Sequence, residues 1–179
     1  MTTQVTGGAD HNKPPVITTY LEMRSPAQLR RKTAGGLNLE VTERRDGDWR
    51  FNRDMYWQVG EKWSWTDKRV WSDAEWQTYA LSPELRTFVA YNDGELVGYY
   101  ELRDDKQHGV EIAYFGLLQQ FIGRGLGGLL LSDAIEKAWT LFPGINRVWV
   151  HTCTLDHPGA LANYKARGMT VYYQTAEVA

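Results

Sequence analysis

The segment Ile122-Gly-Arg-Gly-Leu-Gly-Gly128 lies between a strand-like run, Val110-Glu-Ile-Ala-Tyr-Phe-Gly-Leu117, and a helix-like run from Leu129 to Trp139. Its glycines at alternate positions leave several backbone N–H groups uncovered where a helix begins. Those donors, with the positive end of the helix dipole, favour a bound anion, usually phosphate. The chain is therefore predicted to hold a phosphorylated ligand.

Composition narrows the setting. At 179 residues a single domain is expected, and the chain is long enough for a real core. A formal charge of -2 gives no global attraction to nucleic acid or to an anionic membrane. No apolar run approaches the roughly 18 residues of a membrane span. The start is polar, without a signal-peptide hydrophobic region. One cysteine, Cys153, excludes an intrachain disulfide framework and fits a cytoplasmic protein.

Tryptophan is the compositional oddity. Of eight, Trp57, Trp63, Trp65, Trp71 and Trp76 fall in one short segment. Large amphipathic rings wedge short helices onto a sheet, and they also wall acceptor pockets for cations. Composition leaves both readings open.

Residues 1–14 read as a flexible tail and 15–179 as the domain. Val16–Met23 is β-branched and apolar, and Leu37–Glu43 alternates, so both are predicted strands. Short helices are expected over Asn52–Val59 and Ser72–Tyr79, the second opened by the capping-box pattern Ser72-Asp-Ala-Glu75. Thr87–Tyr91 and Glu95–Leu102 flank Asn92-Asp-Gly94, a tight-hairpin signal. A third meander strand begins near Gly109. After the glycine loop and long helix come a strand over Arg147–His151, a helix capped at Asp156 and stopped by Gly168, and a strand over Met169–Tyr173.

The loop is not a P-loop, because Gly127-Gly128-Leu129 replaces the required Gly-Lys-Ser/Thr. Gly123, Gly125 and Gly128 do match G-x-G-x-x-G, but a dinucleotide fingerprint opens the first βαβ unit, and here a meander precedes it.

The stretch from Phe115 to Leu130 resembles the cofactor segment of the GNAT superfamily of acyl-CoA-dependent N-acyltransferases. Asn163-Tyr-Lys-Ala-Arg-Gly-Met169 is similar to that family's closing "Tyr–Glu–Lys–x–Gly–Phe" motif, and the order of elements from residue 16 to 175 matches. The resemblance implies an α+β GNAT-like fold: a mixed, largely antiparallel twisted sheet of seven strands with four helices, splayed near residues 115–118 to admit acetyl-CoA. It implies that Leu117 and Leu118 offer backbone groups to the pantetheine arm, and that the amides of Gly123, Arg124, Gly125, Leu126 and Gly127 bind the pyrophosphate. Arg124 adds charge, and His157 stands where the family often has an Asn that contacts CoA. The family usually opens the loop with Gln or Arg, whereas Ile122 stands here. Dimers are common in the family, and a homodimer is compatible with this chain.

Acyl transfer to an amine needs a base, an oxyanion site and an acid for the leaving thiolate. By resemblance Tyr164 is the acid, and a neutral phenol is a proton donor at pH 7. Glu101 and Glu111 are candidate bases in the strands flanking the 104–108 connection. Symmetric pairing would set Arg103 against Gly109 and Glu101 against Glu111, like charges in direct opposition. His151, Cys153, Asp156 and His157 cluster in sequence, but one Cys at a strand-to-helix transition does not supply zinc's four ligands, so no metal is expected. The expected activity is N-acetylation of a small-molecule primary amine by direct transfer. The acceptor should lie over the meander, walled by the Trp-rich residues 52–80. The alternatives are a non-catalytic acyl-CoA sensor and an enzyme for protein or peptide amines.

Overall fold

The computed structural model describes residues 14–177. The predicted tail, 1–14, lies outside them except for Pro14. Seven strands form one sheet: β1 (Val16–Met23), β2 (Leu39–Arg44), β3 (Leu85–Asn92), β4 (Glu95–Asp104), β5 (Gly109–Leu117), β6 (Arg147–Cys153) and β7 (Thr170–Glu177). Four helices accompany it: α1 (Trp49–Gly60), α2 (Asp73–Ala80), α3 (Leu126–Leu141) and α4 (Ala160–Ala166). The expected α+β class and its element order are those observed.

Local chemistry sets the boundaries. Ser72 caps α2 by accepting from the Glu75 amide, while the Glu75 carboxylate accepts from the Ser72 amide at 2.7 Å. Asp93 and Gly94 both have positive φ, the geometry of a two-residue hairpin turn joining β3 to β4. Two helix starts differ from expectation. α3 begins at Leu126, inside the loop, because Gly125 at φ 83° is its N-cap. α4 begins at Ala160 and not after Asp156, whose carboxylate is spent on the Thr152 hydroxyl and the Cys153 amide.

The strand order is β2-β3-β4-β5-β6-β1-β7, so β1 is inserted between β6 and β7, antiparallel to both. Among the described residues the only parallel pair, β5 with β6, holds for three residue pairs and ends at Glu111–Trp149. Beyond that point the strands part, earlier than the expected 115–118. Leu102, Ile112, Val148 and Val150 point to the α3 face and form the core with Leu130, Ile135 and Ala138. The opposite face carries Tyr99, which meets Phe51 of α1 edge-on. A smaller core of Trp49, Tyr56 and Trp76 locks α1 to α2. No described helix is long and apolar enough to cross a membrane.

Candidate active site

A cleft of about 590 Å³ opens where β5 and β6 part. It runs from the glycine loop, past Tyr164 and the β5 backbone, to a mouth on the α1–α2 face at Trp63, Trp65 and Asp67. The helix α1 lies so close to β5 that a Cβ on Gly116 would stand 2.4 Å from Val59 Cγ1. This contact fixes the sheet edge against which the cleft is built.

Leu117, Gly123, Gly125, Gly127, His157 and Tyr164 line the cleft together. Four predicted ligand positions need qualification. The Leu118 amide donates to the Val97 carbonyl at 2.8 Å, and its carbonyl accepts from the Phe121 amide, so Leu118 is spent on the fold. Arg124 lies 5.2 Å over the Phe121 ring and outside the cleft wall. The Leu126 side chain is in the core, leaving only its amide at the helix start. His157 is held by the Gly159 amide, which donates to Nδ1 at 2.9 Å, and by an edge-on contact with Trp63.

Sequence reasoning missed two cations. An added Cβ at Gly128 would lie 2.4 Å from Arg167 Nη1 and 2.7 Å from Lys32 Cδ, so both side chains straddle the N-terminal turn of α3. Arg167 Nε is buried without a hydrogen-bond partner, and both residues line the cleft. Uncovered amides, a helix N-terminus and two cations fit a phosphate group. Arg167 falls inside the Asn163–Met169 motif, but its direction toward Gly128 is set by the tertiary packing of α4 on α3.

The carboxylates correct the predicted register. Asp104 pairs with Val110, so Arg103 faces Glu111, and Ala113 is an extra residue on β5 that sets Glu101 opposite Tyr114. Glu101 and Glu111 share the α1–α2 face but neither lines the cleft. Glu101 is 1% exposed and accepts from Asn52 Nδ2 at 2.7 Å and from the Tyr79 hydroxyl at 2.5 Å. Burial pushes its pKa up to about 7, against the opposing pull of those bonds and of Lys68 and Arg103. Glu111 is 3% exposed; burial raises its pKa, but His151 and the Arg103 ion pair outweigh that and hold it below the ordinary value.

Tyr164 is 6% exposed, and its hydroxyl has no hydrogen-bond partner among the described residues. Burial, then the nearby Asp156 charge, raises its pKa and keeps it protonated at neutral pH. Asp156 also accepts from Trp65 Nε1 at 3.2 Å and so ties the Trp segment to the β6–α4 turn. The tryptophans divide: Trp76 is core and Trp71 packs on it, whereas Trp63 and Trp65, between α1 and α2, wall the mouth. Among the described residues no group of three His, Cys, Asp or Glu is placed to hold a metal ion.

A sheet splayed between β5 and β6, with a glycine loop opening the next helix, defines an acyl-CoA-type transferase architecture. The model of the acetyltransferase (GNAT) family matches residues 48–169, and the chain belongs to that family. No curated protein matches the sequence. Among solved structures, a GCN5-related N-acetyltransferase from Sphaerobacter thermophilus aligns with TM-score 0.68 and 17% identity, covering 92% of this chain and 51% of that one. A second, from Kribbella flavida, aligns with TM-score 0.57 and 18% identity over 94% of this chain and 59% of that one. An aminoglycoside acetyltransferase from an uncultured soil metagenomic sample gives 0.60 and 15%, covering 76% and 91%. At these identities the likeness is one of fold. This chain spans about half the length of the first of these structures and about three-fifths of the second.

Proposed function

We propose that the protein transfers an acetyl group from acetyl-CoA to a primary amine of a small molecule, directly, with donor and acceptor bound together. The observation that carries this reading is the single cleft joining the glycine loop to the aromatic mouth, with Tyr164 on its wall. The donor's pyrophosphate would lie on the amides around Gly123–Gly127 between Lys32 and Arg167, and its pantetheine arm along the β5 edge at Leu117. The acetyl group is supported by the acetyltransferases of like fold, and a small acceptor by the enclosure that Trp63, Trp65 and Tyr114 give the mouth. Tyr164 protonates the leaving thiolate. The Asp67 carboxylate at the mouth favours a cationic amine. A free thiol at the only cysteine is consistent with a cytoplasmic setting.

The test is CoA release from acetyl-CoA across a library of amines, with donor affinity measured separately. Tyr164→Phe should lower kcat by about 100-fold or more while leaving acetyl-CoA affinity unchanged. Binding of acetyl-CoA with no release toward any amine would overturn the reading and favour a sensor.

A further inference from the structure

His151 is the one imidazole on the α1–α2 face of β6, and it stands two residues beyond the last β5–β6 pair, where the cleft begins. Its side chain is 47% exposed, so a substrate can reach it. Nδ1 lies 3.5 Å from Glu111 Oε1. The other carboxylate oxygen of Glu111, Oε2, accepts from Arg103 Nε at 3.0 Å and from Nη2. Glu111 itself does not line the cleft; His151 stands between it and the cavity. A carboxylate at Nδ1 favours the tautomer with the proton there, leaving a lone pair on Nε2.

We infer that His151 is the general base that deprotonates the acceptor amine, with Glu111 as its positioning residue and Arg103 anchoring Glu111. The inference rests on the acyl-transfer reading above. An acceptor ammonium gives one proton to Nε2. Its freed lone pair attacks the thioester carbonyl carbon, the C–S bond breaks, and the bonding pair leaves on sulfur. Tyr164 protonates that thiolate, and the second nitrogen proton returns to Tyr164 through water. His151 releases its proton to solvent, which balances the step.

The groups around the imidazole suit this role. From β5 and β4 it faces Glu111 and, behind it, Arg103. From β1 the Tyr20 ring lies 5.6 Å away and from its own strand Trp149 lies 6.4 Å away, both tilted against it. Tyr173 of β7 packs behind Tyr20. Asp67 and Asp156 also line the cleft. Asp67 is already engaged by the Tyr56 and Tyr114 hydroxyls and by Lys68. Asp156 is engaged by Thr152, Cys153 and Trp65. That leaves His151 as the titratable cleft group with a free nitrogen and a carboxylate behind it.

The experiment measures kcat/KM against pH for the full chain and His151→Gln, using whichever primary amine in the library is turned over. His151→Gln should lose about 100-fold or more near pH 7, with melting temperature and acetyl-CoA affinity unchanged. The gap should close to under about tenfold near pH 10, where the amine is largely deprotonated without help. Free imidazole should restore activity to His151→Ala, which a merely structural role would not allow. A His151→Gln variant as active as wild type near neutrality, or a loss uniform in pH and indifferent to imidazole, overturns the assignment of His151 alone. If wild type transfers to no amine, the acyl-transfer reading falls and this assignment falls with it.

Discussion

Arg103, and not Glu101, stands across the ladder from Glu111, because the connection closes with Asp104 opposite Val110, two residues out of the symmetric register. The like-charge opposition expected from symmetric pairing becomes an ion pair with a carboxylate that is almost fully enclosed.

Removing that cation strands the carboxylate. Arg103→Gln should cost about 1–3 kcal/mol near neutral pH, below the full cost of breaking a buried pair because Arg103 is half-exposed. Glu111 has a depressed folded-state pKa, so its stabilisation is present above the ordinary carboxylate range and is lost as pH falls. The penalty of the variant should therefore shrink in acid. Chemical denaturation at two pH values measures it, and a penalty independent of pH would contradict the pairing.

Glu101 has the opposite sign. Its pKa is raised from 4.5 to about 7, so the folded state holds its proton more tightly than the unfolded chain. Stability from this group is complete below the unfolded value and declines as pH rises toward 7, by up to about 1.4 kcal/mol per pH unit. Glu101→Gln keeps a neutral, hydrogen-bonding side chain between Asn52 and Tyr79. It should raise the melting temperature more at pH 8 than at pH 5, and scanning calorimetry at the two values decides it.

Lys32 and Arg167 flank the first turn of α3 around Gly128. Replacing either with Ala should weaken acetyl-CoA binding roughly 5- to 30-fold, the equivalent of about 1–2 kcal/mol for a charge-assisted contact. The loss should be smaller at high salt, where exposed charge is screened. Calorimetric titration with acetyl-CoA at two ionic strengths separates this from a general loss of fold.

Gly168 ends α4 at φ 100°, and an added Cβ would lie 2.1 Å from the Gln28 carbonyl oxygen. Gly168→Ala should destabilise the protein by more than about 2 kcal/mol, combining left-handed strain with a backbone clash. A melting temperature within a degree or two of wild type would show that the 24–30 segment yields instead.

Local chemistry alone determined much of this molecule. Asp93-Gly94 makes the hairpin, Ser72 and Glu75 open α2, and Gly123 and Gly125 release the amides that begin α3; each works through neighbours a few residues away. The glycine loop with the Asn163–Met169 segment was enough to indicate the family. Only the tertiary structure decided the rest. The insertion of β1 beside β6 depends on pairing across more than a hundred residues. The bulge at Ala113 carries no distinctive residue, yet it decides that Glu101 meets Tyr114. Arg167 became a cleft residue by packing of α4 on α3, and His151 gained its carboxylate because β5 and β6 run together only as far as Glu111 and Trp149. Contacts between distant strands have no short-range sequence signature, and in this protein they decide which charges reach the cleft.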